Sequence, residues 1–204
     1  MGRDLAEASA ILALCRQKSL VAAVNFQLRF SPMMLAVADA LSRGWLGRLV
    51  DVEVHLNLVT PWHLFPFLKG MPRVEIAVHS IHYLDTLRAM LGNPVGVHAR
   101  TLGHPLTDLA QTRTSAIFDY APDQRVTLSI NHNHDFGRKF QDASFRFECT
   151  EGAALVTPVV AEVATTDQPA RHPVPVLVGD DVADQRGGGM DEGSRVDDRA
   201  DALF

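Results

Sequence analysis

EIAVHSIHYLDTLRAMLG, residues 75–92, is the stretch on which the reading of this chain turns. Its apolar residues recur at helical spacing. On a wheel of about 100° per residue, Val74, Ala77, Val78, Ile81, Leu84, Leu87 and Leu91 cover one broad arc. Glu75, His79, His82 and Thr86 fall within about 60° of one another on the other side. The helix therefore packs by its apolar side and carries a carboxylate and two imidazoles on one stripe. Such groups exchange protons near neutral pH, because an unperturbed histidine titrates near 6.5. A solvated polar face with incidental histidines is the competing reading. Gly92, with Pro94 beyond it, is the expected stop.

Upstream, NFQLRFSP (residues 25–32) reads as a strand running into a helix, with Ser31 as N-cap and Pro32 at the first helical position. That helix is expected to run to Ser42 and stop at Gly44. Residues 3–18 read as an amphipathic helix through Leu5, Ala8, Ile11, Leu12 and Cys15. Residues 20–26 (LVAAVNF) are a nearly continuous apolar run, expected to be a strand buried on both faces. Downstream, residues 48–58 alternate. Leu49, Asp51, Glu53, His55 and Asn57 fall on one side, and Val50, Val52, Val54, Leu56 and Leu58 on the other. That pattern belongs to a half-buried strand. Residues 59–73 read as a loop with large apolar anchors. Further strands are expected near 95–102, 113–120, 125–134, 144–150 and 152–156. Runs of strands after helices indicate an α+β domain, an open, mostly antiparallel sheet with helices on one face.

From about residue 164 the pattern stops. The segment to residue 204 has three consecutive glycines, scattered Asp and Arg and one aromatic, so it is expected to be disordered, or a truncated or out-of-frame end. The chain of 204 residues is 47% hydrophobic and 21% charged with a net charge of −5, ordinary for a globular protein and poor in the basic clustering a nucleic-acid partner requires. No apolar run approaches the roughly 20 residues of a membrane span. Asp4 and Glu7 interrupt any signal-peptide pattern, which points to the cytoplasm. Cys15 and Cys149 form no metal or redox spacing.

With their order and separation, NFQLRFSP, DVEVHLNL (51–58), HSIHYLD (79–85) and FRFECTEGAALV (145–156) resemble the Gfo/Idh/MocA oxidoreductases, over about residues 3–160. The resemblance implies the second, substrate-binding and oligomerisation domain of an enzyme that passes a hydride between NAD or NADP and a sugar, polyol or related hydroxy compound. Residues 1–27 would be a helix-strand remnant of the Rossmann domain, 28–160 the α/β domain and 161–204 an aberrant tail. His82 matches the family's histidine and Asp85 its later aspartate. Val78 stands where the family's catalytic Asp is usual, and Ser80 where Gly is usual. The family's lysine, in a Glu-Lys-Pro run, would fall before Met1. The catalytic candidates are therefore His82, with His79 or Glu75 replacing the missing carboxylate. Asn25, Gln27 and Arg29 are expected at the edge of a ligand cleft.

No G-x-G-x-x-G turn occurs in the sequence, so the chain alone is expected to bind no dinucleotide and to be inactive. Trp62 and His63 are further candidates for a sugar cleft, or for anchoring their loop with Phe65 and Phe67. His132 and His134, two apart on a strand, could hold a transition metal with a third ligand such as His63. Two alternatives stand beside the oxidoreductase: a non-catalytic sugar-binding or scaffold module of the same fold, and a histidine-based metal-binding protein. The polar sheet face makes a homo-oligomer the expectation, with no nucleic acid and no membrane as partner.

Overall fold

The computed structural model describes residues 4–157, 160–165 and 176–177. Three α-helices and eight strands are present among them: α1 (Leu5–Gln17), α2 (Pro32–Ser42), β1 (Leu49–Asn57), α3 (Ile81–Leu91), β2 (Gly96–Leu102), β3 (Arg113–Asp119), β4 (Arg125–Asn131), β5 (Asp142–Cys149), β6 (Gly152–Val156), β7 (Val160–Thr165) and β8 (Val176–Leu177). The strands form one sheet in the order β2-β3-β4-β1-β5-β6-β7-β8. Every neighbouring pair is antiparallel except β1 with β4, which run parallel. The chain leaves β1 through the loop and α3 before it returns, and a parallel pair needs a crossover of that kind.

Local chemistry sets the helix ends. The Asp4 carboxylate accepts from the Glu7 N–H at 2.8 Å and opens α1. Ser31 accepts from the Met34 N–H at 3.3 Å and opens α2, with Pro32 behind it. Gly92 ends α3 at φ 81°, a left-handed conformation that a side chain resists.

Alternation in β1 becomes burial. Val52, Val54 and Leu56 face inward and are 1% exposed or less, while Glu53 and His55 are exposed. Met34, Val37 and Ala40 of α2 and Tyr83 and Leu87 of α3 close on the same face, with Val126, Leu128, Ile130, Phe145 and Phe147 from the sheet. Helices α2 and α3 thus share one face, as expected, while α1 buries none of its residues. On the other, Arg125 pairs with Asp51 at 2.5 Å and Arg146 lies 3.9 Å from Glu53. No described helix is long and apolar enough to cross a membrane.

Two expectations are corrected. Residues 20–26 form no strand, and Leu20, Val21 and Val24 are 59%, 99% and 51% exposed. A strand buried on both faces needs ladder partners on its edges, and no described strand lies beside this one. The sheet also continues beyond residue 160 into β7 and β8, within the expected tail, because β7 finds a full antiparallel partner in β6. Residues 166–175 and 178–204 lie outside the described residues.

Candidate functional site

The informative helix starts differently from the expectation. Backbone N–H groups of Val74 and Glu75 donate to the carbonyls of Ala110 and Gln111, at 3.3 and 3.1 Å, and tie the segment to the approach of β3. Residues Ile76–Ser80 then form a π-helical turn, and only Ile81–Leu91 is α-helical. A π-turn closes bonds five residues apart, so Ser80 comes back over Glu75. The Ser80 hydroxyl donates to Glu75 Oε1. Glu75, Ser80 and Thr86 are each 0% exposed, so the polar stripe is partly internal.

Behind that turn is a sealed polar group. His132, 2% exposed, directs Nε2 to within 3.9 Å of Glu75 Oε1, and its Nδ1 lies 3.0 Å from Thr60 Oγ1. Trp62 donates its indole N–H to the His132 carbonyl at 3.0 Å. His79 stacks on His132 with centroids 4.2 Å apart, and Trp62 meets His79 edge-on at 5.3 Å. Burial pushes His79 down to about 4 and His132 to about 3, each further opposed by a neighbouring histidine. Burial raises Glu75, against the lowering effect of the Ser80 and Thr114 hydroxyls. The protonated acid and two neutral rings are the forms such a low-dielectric site favours.

In front of the turn a cleft of about 210 Å³ opens between α2, α3 and the ends of β1, β5 and β6. His79 and His82 stand on its α3 side and Gln27 and Ser31 on the entering segment. Burial lowers His82, while the charge of Asp85 favours its protonated form. Phe26 meets the His82 ring edge-on at 5.7 Å. Arg29 Nε lies 3.4 Å from Asp85 Oδ2 and fastens residues 25–31 to α3.

The expected residues therefore separate. His82, His79 and Gln27 share the cleft. Glu75 lies behind it and faces His132, because the π-turn changes the helical phase. Arg29 is engaged by Asp85, and Asn25 is exposed outside the lining. Trp62 and His63 do not line this cleft: Trp62 packs on the two stacked histidines and His63 is exposed. His132 and His134 do not converge on a third ligand. His134 Nδ1 meets Asn57 at 3.2 Å, and no three His, Cys, Asp or Glu side chains are arranged to hold a metal among the described residues. Met33, Met34, Tyr83, Ser144 and Phe145 also line the cleft and carried no functional signal in the sequence.

No protein-family model matches the sequence, and no curated protein matches it. Solved structures share the fold. An oxidoreductase from Agrobacterium radiobacter, solved with NAD+, L-tartaric acid and magnesium, is 19% identical with TM-score 0.68 over 81% of this chain and 49% of its own. A levoglucosan dehydrogenase solved with NADH and levoglucosan is 17% identical with TM-score 0.70 over 87% of this chain and 52% of its own. The WlbA dehydrogenase from Bordetella pertussis, solved with NADH and UDP-GlcNAcA, is 15% identical with TM-score 0.64 over 76% and 48%. This chain thus spans about half the length of the structures it matches.

Proposed function

We propose that this chain, which has the fold of one part of a Gfo/Idh/MocA-type NAD-dependent sugar dehydrogenase, is the substrate-binding and oligomerisation portion of an NAD(P)-dependent oxidoreductase. Its substrate is a sugar, polyol or related hydroxy compound. The observation that carries this reading is the position of His82, on the cleft wall where residues 25–31 are fastened to α3.

Oxidising a secondary alcohol removes a hydride from carbon and a proton from oxygen. The nicotinamide supplies the redox chemistry. His82, held toward its neutral form by burial, takes the hydroxyl proton, a contribution of typically about 10²–10⁴ in rate. Asp85 steadies the imidazolium that results, in place of the carboxylate that Val78 cannot supply. Gln27 and Ser31 bind and orient hydroxyls at the rim. None of the described loops is a glycine-rich strand-to-helix turn that cradles a dinucleotide's phosphates, so the nucleotide is not assigned to these residues. The exposed polar sheet face is the oligomer contact.

The test is titration of purified chain with neutral sugars and polyols, following the His82 ring by NMR. Saturable shifts are expected, and in His82→Ala the affinity, read there from the His79 ring that shares the cleft, should weaken at least about tenfold, since one hydrogen bond to a charged or reacting group is worth about 1.5–3 kcal/mol. A His82 ring that ignores every hydroxy compound would sink the reading. NAD or NADP added with any binder is expected to show no nicotinamide reduction. Val78, packed in the small apolar cluster of Leu68, Val74 and Leu109, favours a second reading, a binding module without turnover. That reading gains if ligands bind while an intact protein carrying this domain never reduces nicotinamide.

A further inference from the structure

The cleft has a floor and a rim of different chemistry. Met34, Leu56, Phe145 and Val156 form the floor, each 5% exposed or less. Gln27, Ser31 and Ser144 are more open and lie at the rim. Among the described residues, no Lys, Arg, Asp or Glu lines it. The cation of the entering segment, Arg29, is already engaged by Asp85 and lies 4.7 Å over the Phe30 ring. Burial opposes the charging of both imidazoles present, pushing His79 down to about 4 and lowering His82 against the charge of Asp85.

We infer that the part of the ligand seated on this floor is uncharged and apolar, so the ligand is a neutral hydroxy compound with one hydrophobic face. A carboxylate entering here would lose its hydration against the apolar floor and meet no cation among the described lining residues, which costs far more than a neutral hydroxyl seated at the rim. An apolar face would meet two methionines, whose flexible thioethers adapt to irregular shapes and favour aromatic rings. Sugar acids and other anions are disfavoured by the same floor. This inference rests on the cleft being the substrate site proposed above, and narrows the class of compound it takes.

The test uses the whole chain labelled with ¹³C at its methionine methyls. Met33 and Met34 sit in the cleft, and Met71, beside the satellite apolar cluster, is an internal control. Three probes separate the outcomes: phenyl β-glucoside, phenyl β-glucuronide, and 2-phenoxytetrahydropyran, which keeps the ring and aryl group without hydroxyls. The glucoside is expected to shift Met33 and Met34 but not Met71, and to bind at least about tenfold tighter than the glucuronide. A glucuronide that binds as tightly overturns the inference and leaves the hydroxy-compound reading intact. Equal binding of the hydroxyl-free probe and the glucoside overturns that reading and leaves the apolar floor standing. If no probe moves either methyl, both fall.

Discussion

His79 and His132 stack with centroids 4.2 Å apart and planes 28° from parallel, and both rings are held neutral by burial. One reaches this contact from a π-turn and the other from the end of β4. Two stacked rings this close cannot both be charged without strong repulsion, so the contact is sensitive to acid.

Stability should therefore fall as pH drops. Both histidines have folded values, about 4 and about 3, below the ordinary 6.5. Their contribution is fully present above 6.5 and is lost as pH falls toward those values, because the unfolded chain then binds more protons. The slope is at most about 1.4 kcal/mol per pH unit for each ring. Urea midpoints measured from pH 7.5 to 5 should decrease; a flat profile would show that the rings charge freely in the fold.

Glu75 works in the opposite sense. Its folded value is raised, so its contribution is present below its unfolded value near 4.5 and lost as pH rises through the folded one. Glu75→Gln keeps an acceptor for Ser80 and cannot ionise. The variant should gain stability at pH 8 and lose it more steeply than wild type on acidification. Glu75→Ala should instead cost about 2–4 kcal/mol, by orphaning Ser80 and leaving a void. Chemical denaturation of the two variants side by side distinguishes these effects.

Trp62 is a built-in reporter. It touches both rings edge-on, at 5.3 Å from His79 and 6.2 Å from His132. The other tryptophan of the two is Trp45. In Trp45→Phe, emission should stay constant from pH 8 to 5.5 and be quenched only nearer pH 4, since imidazolium quenches an excited indole and neutral imidazole does so weakly. A quenching midpoint close to 6.5 would mean that water reaches the pair.

The Arg29–Asp85 contact should matter for binding more than for stability. It is partly exposed, with side chains 39% and 17% accessible, so breaking it by Asp85→Asn should cost under about 1 kcal/mol of folding stability. Cleft ligands should weaken about three- to tenfold, because residues 25–31 lose their tether and ordering them on binding costs about 0.5–1.5 kcal/mol per side chain. The His82 titration should also move downward, as the neighbouring charge that raises it is gone. An unchanged His82 titration would show that Asp85 does not act on the ring.

Much of this was legible in the chain because its signals are local. Strand alternation in residues 48–58, the Ser31-Pro32 start and the Gly92 stop depend on neighbours one to four positions away, and each stands where periodicity put it. His82 stood out by its spacing in HSIHYLD, and the fold places its ring on the cleft wall. Residues 20–26 misled because an apolar run reports burial without saying what does the burying.

What the sequence determined by itself is the alternation of its strands, the caps of its helices and the α+β class, since each follows from backbone sterics and side-chain period. The tertiary structure alone decided that Glu75 faces inward and His82 outward. The phase of a helix entered through a π-turn depends on where Ala110 and Gln111 hold its first residues. Which imidazole meets a buried acid and which meets a cleft then depends on His132, more than fifty residues along the chain from Glu75.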